Sequence, residues 1–201
     1  MTNTKTTNNA LSVLDPTQAL TGVDTRWSYV HLLEPWGMPG QEMRYSLTLL
    51  IPKTAVEIVK RINTAIREAY TKGLDKLKGK DAAAPALEVL PKILRDGDLE
   101  YPGDPAYAGC WFLRAKTTRK PKVLDRNNDP IVDPGEVYSG CYGPVLVEFF
   151  AYNNISRGIS CSLVAAWKFA DGEPLGRSVD VNGVFAAIEG AAGENTNDFL
   201  R

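Results

Sequence analysis

The sequence predicts a β-rich α+β domain, a small antiparallel Greek-key barrel with one long helix inserted between its strands. Segments in which apolar residues alternate with polar ones recur in both halves of the chain, and this two-residue period is typical of a strand with one buried face. A single long helical stripe separates the first two of these segments from the rest. Because strands do not alternate with crossover helices, the order of elements disfavours a doubly wound parallel sheet.

Two strands are predicted before the helix. Residues 25–33 alternate with period two, which sets Trp27, Tyr29, His31 and Leu33 on one side and Ser28, Val30 and Leu32 on the other. In residues 43–51 the apolar side chains share one face opposite Arg44, Ser46 and Thr48. A turn rich in Gly and Pro, residues 37–40, lies between them. These features predict a hairpin at the front of the domain.

The helix is predicted from residue 54 onward. Thr54 and Glu57 have the spacing of a capping box. Apolar residues then recur at helical spacing with cations on the other side, and the stripe consists of Ala55, Ile58, Val59, Ile62, Ala65, Ile66, Ala69, Tyr70 and Leu77. The stripe predicts an amphipathic helix that covers one side of the core.

The second half of the chain is predicted to be rich in strands. Four prolines make residues 81–105 an irregular connection, with a short helix predicted at 87–94. The strands that follow are predicted at 110–118, 122–124, 144–152 and 158–169, and the last two pair in antiparallel fashion. A Greek-key barrel with an inserted helix fits this order, and the oligonucleotide-binding (OB) barrel is one such architecture.

Composition divides the chain into three parts. Residues 1–20 are polar and rich in Thr and Asn, which predicts a flexible arm. Residues 21–178 form the predicted domain, and residues 179–201 form a loosely ordered, mildly acidic tail.

The net charge is misleading when it is taken as a single total. With 23 Lys+Arg and 24 Asp+Glu the chain carries a formal charge of −1, which disfavours a nucleic-acid binder. However, residues 108–122 hold five cations and no acid, whereas residues 170–201 hold six acids and two cations. Segregation of this kind can place a basic surface on a protein that is neutral overall.

The sequence predicts no enzyme, cofactor or metal site. The single histidine, His31, lies in a predicted strand, and the three cysteines lack metal-ligand spacing. Phosphate loops, nucleophile elbows and dinucleotide fingerprints are missing. A metal-dependent nuclease that uses Asp96, Asp98 and Glu100 stays as an alternative. The sparse cysteines and the lack of a long apolar run predict a cytoplasmic protein without a membrane partner.

One segment suggests single-stranded nucleic acid as the ligand. An aromatic ring flanked by cations suits it, because bases stack on rings at ~1–3 kcal/mol each and cations pair with phosphates. The predicted strand 110–118 and the loop after it provide the first candidates: Phe112, Arg114, Lys116, Arg119, Lys120 and Lys122. Further stacking candidates are Trp27, Tyr29, Tyr138, Tyr142 and Tyr152, and further phosphate contacts are Arg157 and Lys168. A solvated strand face with ordinary lysines is the alternative interpretation.

Several linked motifs resemble one protein family. They are WFLRAKTTRKP at 111–121, GEVYSGCYG at 135–143, FAYNN at 150–154, GISCSL at 158–163 and DGEPLG at 171–176. Together they are similar to the bacteriophage and prophage single-stranded DNA-binding proteins, formerly a domain of unknown function. The resemblance covers roughly residues 20 to 178.

The resemblance implies an OB-fold protein that coats single-stranded DNA in phage replication, recombination or repair without strong sequence preference. It also implies a bacterial host cell, and a C-terminal tail that recruits phage or host replication proteins. Glu194, Asp198 and Phe199 are the tail candidates, although the chain ends on the cation Arg201. A homo-oligomer is compatible with the sequence. A structural or adaptor protein that acts through protein contacts is the alternative function.

Overall fold

The computed structural model describes residues 14–80 and 83–176. Its eight strands are β1 Gln18–Leu20, β2 Arg26–Trp36, β3 Arg44–Pro52, β4 Arg95–Asp96, β5 Cys110–Thr117, β6 Lys122–Leu124, β7 Val145–Asn153 and β8 Arg157–Trp167. The α-helices are α1 Val56–Lys72, α2 Leu74–Lys78 and α3 Gly97–Glu100, and short 3-10 helices lie at Leu87–Val89 and Pro134–Glu136. No helix among the described residues has the length and apolar character that crossing a membrane requires.

All eight strands belong to one mixed sheet. The path through it is β1-β7-β8-β5-β3-β2, with β4 paired to β5 and β6 paired to β8. The predicted β-rich class and the antiparallel β7–β8 pair are confirmed. A wholly antiparallel sheet is wrong, because β5 and β6 both run parallel to β8. Parallel neighbours need a long connection, which the chain after β6 supplies.

The main core lies between the inner face of this sheet and α1. Trp27, Leu49 and Phe149 are fully buried there. Helix α1 contributes Ile62, Ala65, Ile66 and Ala69, as its apolar stripe predicts. The buried stripe packs mainly against β7 and β1, which leaves the outer face of β3 and β5 on another side of the molecule.

The helix differs from its prediction at both ends. Ala55 is the N-cap residue and makes no side-chain capping bond, so the predicted Thr54 capping box is wrong. Gly73 separates α1 from α2, and a Cβ built there would lie 2.1 Å from the Cβ of Ala151 on β7. The close approach of helix and strand therefore requires glycine at this position.

Two segments at the front of the chain also differ from expectation. Residues 18–20 of the predicted arm form β1, in register with Glu148, Val147 and Leu146 of β7. In β2 an irregularity between Ser28 and His31 interrupts the alternation, and Tyr29 adopts a positive φ of 49°. Trp27 and Ser28 are consequently both buried, whereas Tyr29 is exposed.

Candidate nucleic-acid interface

A basic face lies on the outer side of β3, β5 and β6. We define it by six exposed cations: Arg44, Arg114, Lys116, Arg119, Lys120 and Lys122. Pairing of β3 with β5 sets Ser46 beside Lys116 and Thr48 beside Arg114. Because alternate residues of a strand point to the same side, the cations of β5 face away from the core as the sequence predicts.

Strand β6 continues the basic face beyond β5. Lys116 of β5 is in register with Ser162 of β8, and Lys122 of β6 is in register with Ala165 further along the same strand. The exposed loop between them carries Arg119 and Lys120. The structure therefore brings the five predicted cations of this segment together in one strip.

Trp36 is an interface candidate that the sequence analysis missed. Its side chain is 53% exposed, and it is in register with Arg44 at the end of β2. Its ring stacks on His31 with centroids 5.4 Å apart. Trp36, Arg44 and Lys116 together line a hollow of about 390 Å³. The sequence feature that points to Trp36 is its position immediately before the Gly- and Pro-rich turn, because a large ring at the end of a strand lies at the margin of the core.

His31 supports the Trp36 ring as an uncharged side chain at neutral pH. Partial burial lowers the pKa of His31 below its ordinary value of 6.5. A neutral imidazole offers a flat surface to the indole without adding charge. The hollow is lined by two cations, Arg44 and Lys116, and by one acid, Glu42. The salt bridge between Arg44 and Glu42 is exposed to solvent, and such bridges are weak.

The prediction that the Phe112 ring is open for stacking is wrong. Phe112 is 0% exposed and forms a second small core with Leu50 and Tyr107. The connection before β5 folds back over this half of the outer face, and the rings of Tyr101 and Tyr107 meet Phe112 edge-on. Phe112 shares its strand face with Arg114 and Lys116, but only the two cations reach solvent.

The connection before β5, which covers Phe112, also holds Arg114 in place. The Nη2 atom of Arg114 donates a hydrogen bond of 2.7 Å to the Tyr101 hydroxyl. Tyr101 stacks in turn on Tyr107, with centroids 4.2 Å apart. Fixing one end of the guanidinium leaves its other N–H groups available, and this reduces the entropy cost of binding a phosphate.

The further stacking candidates divide into open and enclosed rings. Trp27 is wholly buried, and its Nε1 donates to the Gly143 carbonyl, so the prediction of an open ring there is also wrong. Tyr29, by contrast, is 61% exposed. Burial of Trp27 follows from its place in the main core opposite α1.

The other three tyrosines are half-buried and already have intramolecular contacts. The Tyr138 hydroxyl donates toward Asp171 and the Gly172 carbonyl. The guanidinium of Arg26 lies 5.5 Å from the centre of the Tyr142 ring. Tyr152 lies on the outer side of β7, where a Cβ on Gly158 would come within 3.0 Å of its hydroxyl. None of these three residues lies on the basic face as defined above.

The two further phosphate candidates are engaged within the chain. Arg157 donates to the Leu77 carbonyl at the end of α2. Lys168 pairs with Asp171 at 2.8 Å and lies over the Tyr138 ring. Burial opposes the charge on Lys168, but the bond and the charge of Asp171 outweigh it, so its pKa is raised. The tail candidates Glu194, Asp198 and Phe199 lie outside the described residues.

The acidic cluster is neutralised by cations rather than arranged around a metal. Lys53 binds Asp96 at 2.6 Å and Asp98 at 2.8 Å. Arg95 pairs with Glu100. Within residues 14–80 and 83–176 no group of three or more His, Cys, Asp or Glu side chains is placed to hold a metal ion.

The ion pairs of Lys53 with Asp96 and Asp98, here called the Lys53 cluster, make the stability of the fold depend on pH. Bonds from Lys53 and the Gly109 amide lower the pKa of Asp98, so its stabilising effect is present above the unfolded value and is lost as pH falls through the folded value. The pKa of Lys53 is raised by Asp96 and Asp98, so its effect is lost only at strongly alkaline pH. We expect Lys53→Met to lower the Tm at about pH 7 and to lower it less at about pH 3, which lies below the ordinary pKa of an aspartate.

Thermal unfolding followed by circular dichroism measures this difference. Lys92→Met, at an exposed lysine outside the cluster, is the matched control and should leave the Tm nearly unchanged at both pH values. An equal loss of Tm for Lys53→Met at both pH values would contradict the ion-pair account.

Comparison with known proteins places the chain in a family. Residues 17–200 match the family described as the ssDNA-binding protein of Enterobacter phage Enc34. This chain belongs to that family. The matched residues include the whole basic face and Trp36. A relative named putative protein p50, from Acyrthosiphon pisum secondary endosymbiont phage 1, is 34% identical over 158 residues, 75% of this chain and 82% of the relative.

Solved structures are also similar. The single-stranded DNA-binding protein from bacteriophage Enc34 in complex with ssDNA has a TM-score of 0.68 and 28% identity, covering 80% of this chain and 90% of that one. The same phage protein in a second structure has a TM-score of 0.63 and 27% identity, covering 84% and 90%. The gp2.5 protein of bacteriophage T7 shares the fold, with a TM-score of 0.55 and 14% identity over 92% of this chain and 98% of that one.

Proposed function

We propose that this protein is a sequence-nonspecific single-stranded DNA-binding protein that coats and protects DNA during phage-type replication, recombination or repair. The observation that carries the proposal is the exposed Trp36 beside Arg44 and Lys116 on the basic face. Membership of the phage ssDNA-binding family supports it, as does the relative of known structure that is in complex with ssDNA. The place of action is the cytoplasm of a bacterial host.

The chemistry of the face suits nonspecific binding. Cations pair with phosphates whatever the base is, and they release counterions when they do so. The exposed ring of Trp36 stacks on any base, because every base has a flat π-face. The six cations of the basic face suit phosphate contacts, which position the strand and carry no sequence information. Affinity without strong sequence preference follows.

We propose further that the sheet is an OB-type barrel. The edge of β2 that does not face β3 bonds to the segment leading into β7: Trp27 N–H donates to the Cys141 carbonyl at 2.8 Å, and Gly140 N–H donates to the Trp27 carbonyl at 2.8 Å. Gly143 N–H donates to the Thr25 carbonyl at 3.0 Å. These bonds join β2, the last strand of the path, to the segment that leads into β7. Closing a sheet into a barrel requires bonds of this kind.

The remaining parts of the proposal concern organisation. The predicted domain, residues 21–178, together with β1 at Gln18–Leu20, is the DNA-binding domain, and the protein acts without catalysis or a cofactor. The C-terminal segment, with Glu194, Asp198 and Phe199, is the contact for phage or host replication proteins. A homo-oligomer on long single strands is compatible with this role.

Titration with a dT oligonucleotide over a salt series tests the proposal. If three to six of the cations of the basic face meet phosphates, a plot of log affinity against log salt should have a slope of about −2 to −4. Failure to bind at low salt, or affinity indifferent to salt, contradicts the proposal. Equal affinity for double-stranded DNA favours the adaptor alternative.

A further inference from the structure

A second recess opens next to the basic face. This cleft has a volume of about 940 Å³ and lies between the segment 102–107 and the start of β2. Tyr29, Tyr107, Ser139 and Leu175 line it. A volume of this order is ample for a small aromatic ligand.

The lining of the cleft suits a nucleobase better than a phosphate. Lys and Arg are missing from its described lining, and its one acid, Asp104, accepts a hydrogen bond from the Ala106 amide at 3.0 Å. A phosphate would meet negative charge there without a cation to balance it. Pro102, Pro105 and the two tyrosines offer apolar and aromatic surface, which suits an uncharged base.

Tyr107 has an unsatisfied hydroxyl at this cleft. The side chain is 2% exposed, and its oxygen is buried without a hydrogen-bond partner in the described structure. The nearby Ser28 hydroxyl lowers the pKa of the phenol, although the phenol oxygen has no hydrogen-bond partner in the described structure. Burial has the larger effect and raises the pKa, so the phenol stays protonated and is a donor. An orphaned buried donor is costly unless a ligand satisfies it.

The cleft is continuous with the basic face. Arg114 bonds to Tyr101 at 2.7 Å, and Tyr101 stacks on Tyr107. The ring of Tyr101 thus connects the exposed cation Arg114 to Tyr107, whose hydroxyl is unsatisfied. A nucleotide whose phosphate lies on Arg114 can direct its base toward Tyr107.

We propose that this cleft receives one unstacked nucleobase of the bound strand while the phosphate stays on Arg114. The inference rests on the proposed function. Tyr107 donates a hydrogen bond to a carbonyl oxygen or ring nitrogen of the base. Tyr29, which is exposed and lines the same cleft, stacks on the base.

The substitution Tyr107→Phe tests the proposal directly, because it removes only the orphaned hydroxyl. We expect the Tm of this variant to stay unchanged or to rise, whereas its affinity for a dT oligonucleotide should fall by about three- to tenfold, as for one lost hydrogen bond. Its affinity for an oligonucleotide of equal length made of abasic deoxyribose residues should equal that of the wild type. Tyr29→Ala, at an exposed position, should show the same selective loss.

Tyr70→Phe is the matched control. Its hydroxyl donates to the Pro85 carbonyl at 3.0 Å beside α1, so this variant should lose some stability and keep its affinity for dT. Unchanged dT affinity in Tyr107→Phe overturns the inference, and so does an equal loss on the abasic strand. In either case the proposed function stands if the wild-type protein binds dT with the expected salt slope. If the wild type does not bind, both proposals fail.

Discussion

Replacing Arg114 and Lys116 together by glutamate is expected to weaken binding of single-stranded DNA by roughly 100- to 1000-fold. The double substitution changes the charge of the basic face by about four units, each worth about 1 kcal/mol against a nearby phosphate in water. A change of 1.4 kcal/mol corresponds to about tenfold in affinity. Both side chains are exposed on β5 and point away from the main core, so the fold should persist.

The matched control reverses one arginine and one lysine elsewhere. Arg67 on α1 and Lys78 on α2 are exposed, and both helices pack against β7 rather than against the basic face. Arg67→Glu with Lys78→Glu has the same formal charge change but should reduce affinity only a few-fold at about 0.15 M salt, since distant charges are screened. Comparable losses in the two double variants would show that total charge, and not the basic face, governs binding. Fluorescence titration with dT measures both.

Phe112→Ala is expected to lose stability, whereas Trp36→Ala is expected to lose affinity for ssDNA. The Phe112 ring is enclosed by Leu50, Tyr101 and Tyr107, so its removal should lower the free energy of unfolding by about 3–5 kcal/mol. Trp36 is exposed, and its ring stacks on His31. Its removal should leave stability nearly unchanged and weaken ssDNA binding, by about 1–3 kcal/mol for one lost stacking contact.

Urea unfolding and dT titration of both variants separate the two effects. Any loss of binding in Phe112→Ala should be accounted for by its unfolded fraction. Wild-type stability in Phe112→Ala together with weak binding would mean that the ring is open to bases after all. Wild-type affinity for dT in Trp36→Ala would show that Trp36 is not part of the interface.

Local periodicity predicted much of this protein correctly. The two-residue alternation around Arg114 and Lys116 placed both cations on the outer face, because strand geometry sends alternate side chains to opposite sides. The apolar stripe of α1 predicted its buried residues for the same kind of reason. These are properties of neighbouring residues in one element, and the sequence contains them in full.

Predictions that depended on distant segments were less reliable. Phe112 shares its face with Arg114, but a Pro-rich connection covers one and leaves the other open. The irregularity at Tyr29 moved Trp27 and Ser28 into the interior together. Trp36 was missed because it becomes a candidate only beside Arg44 and Lys116, which other strands bring to the same hollow.

The sequence by itself therefore determined the β-rich class, the long helix, the family and the cations on the outer side of β5. The net charge of −1 did not exclude a basic face, because charge position matters more than the total. Only the tertiary structure decided which aromatic rings remain open, since exposure depends on what other parts of the chain pack on top. Alternation selects the side of a sheet on which a residue lies, whereas long-range packing determines whether that side meets solvent.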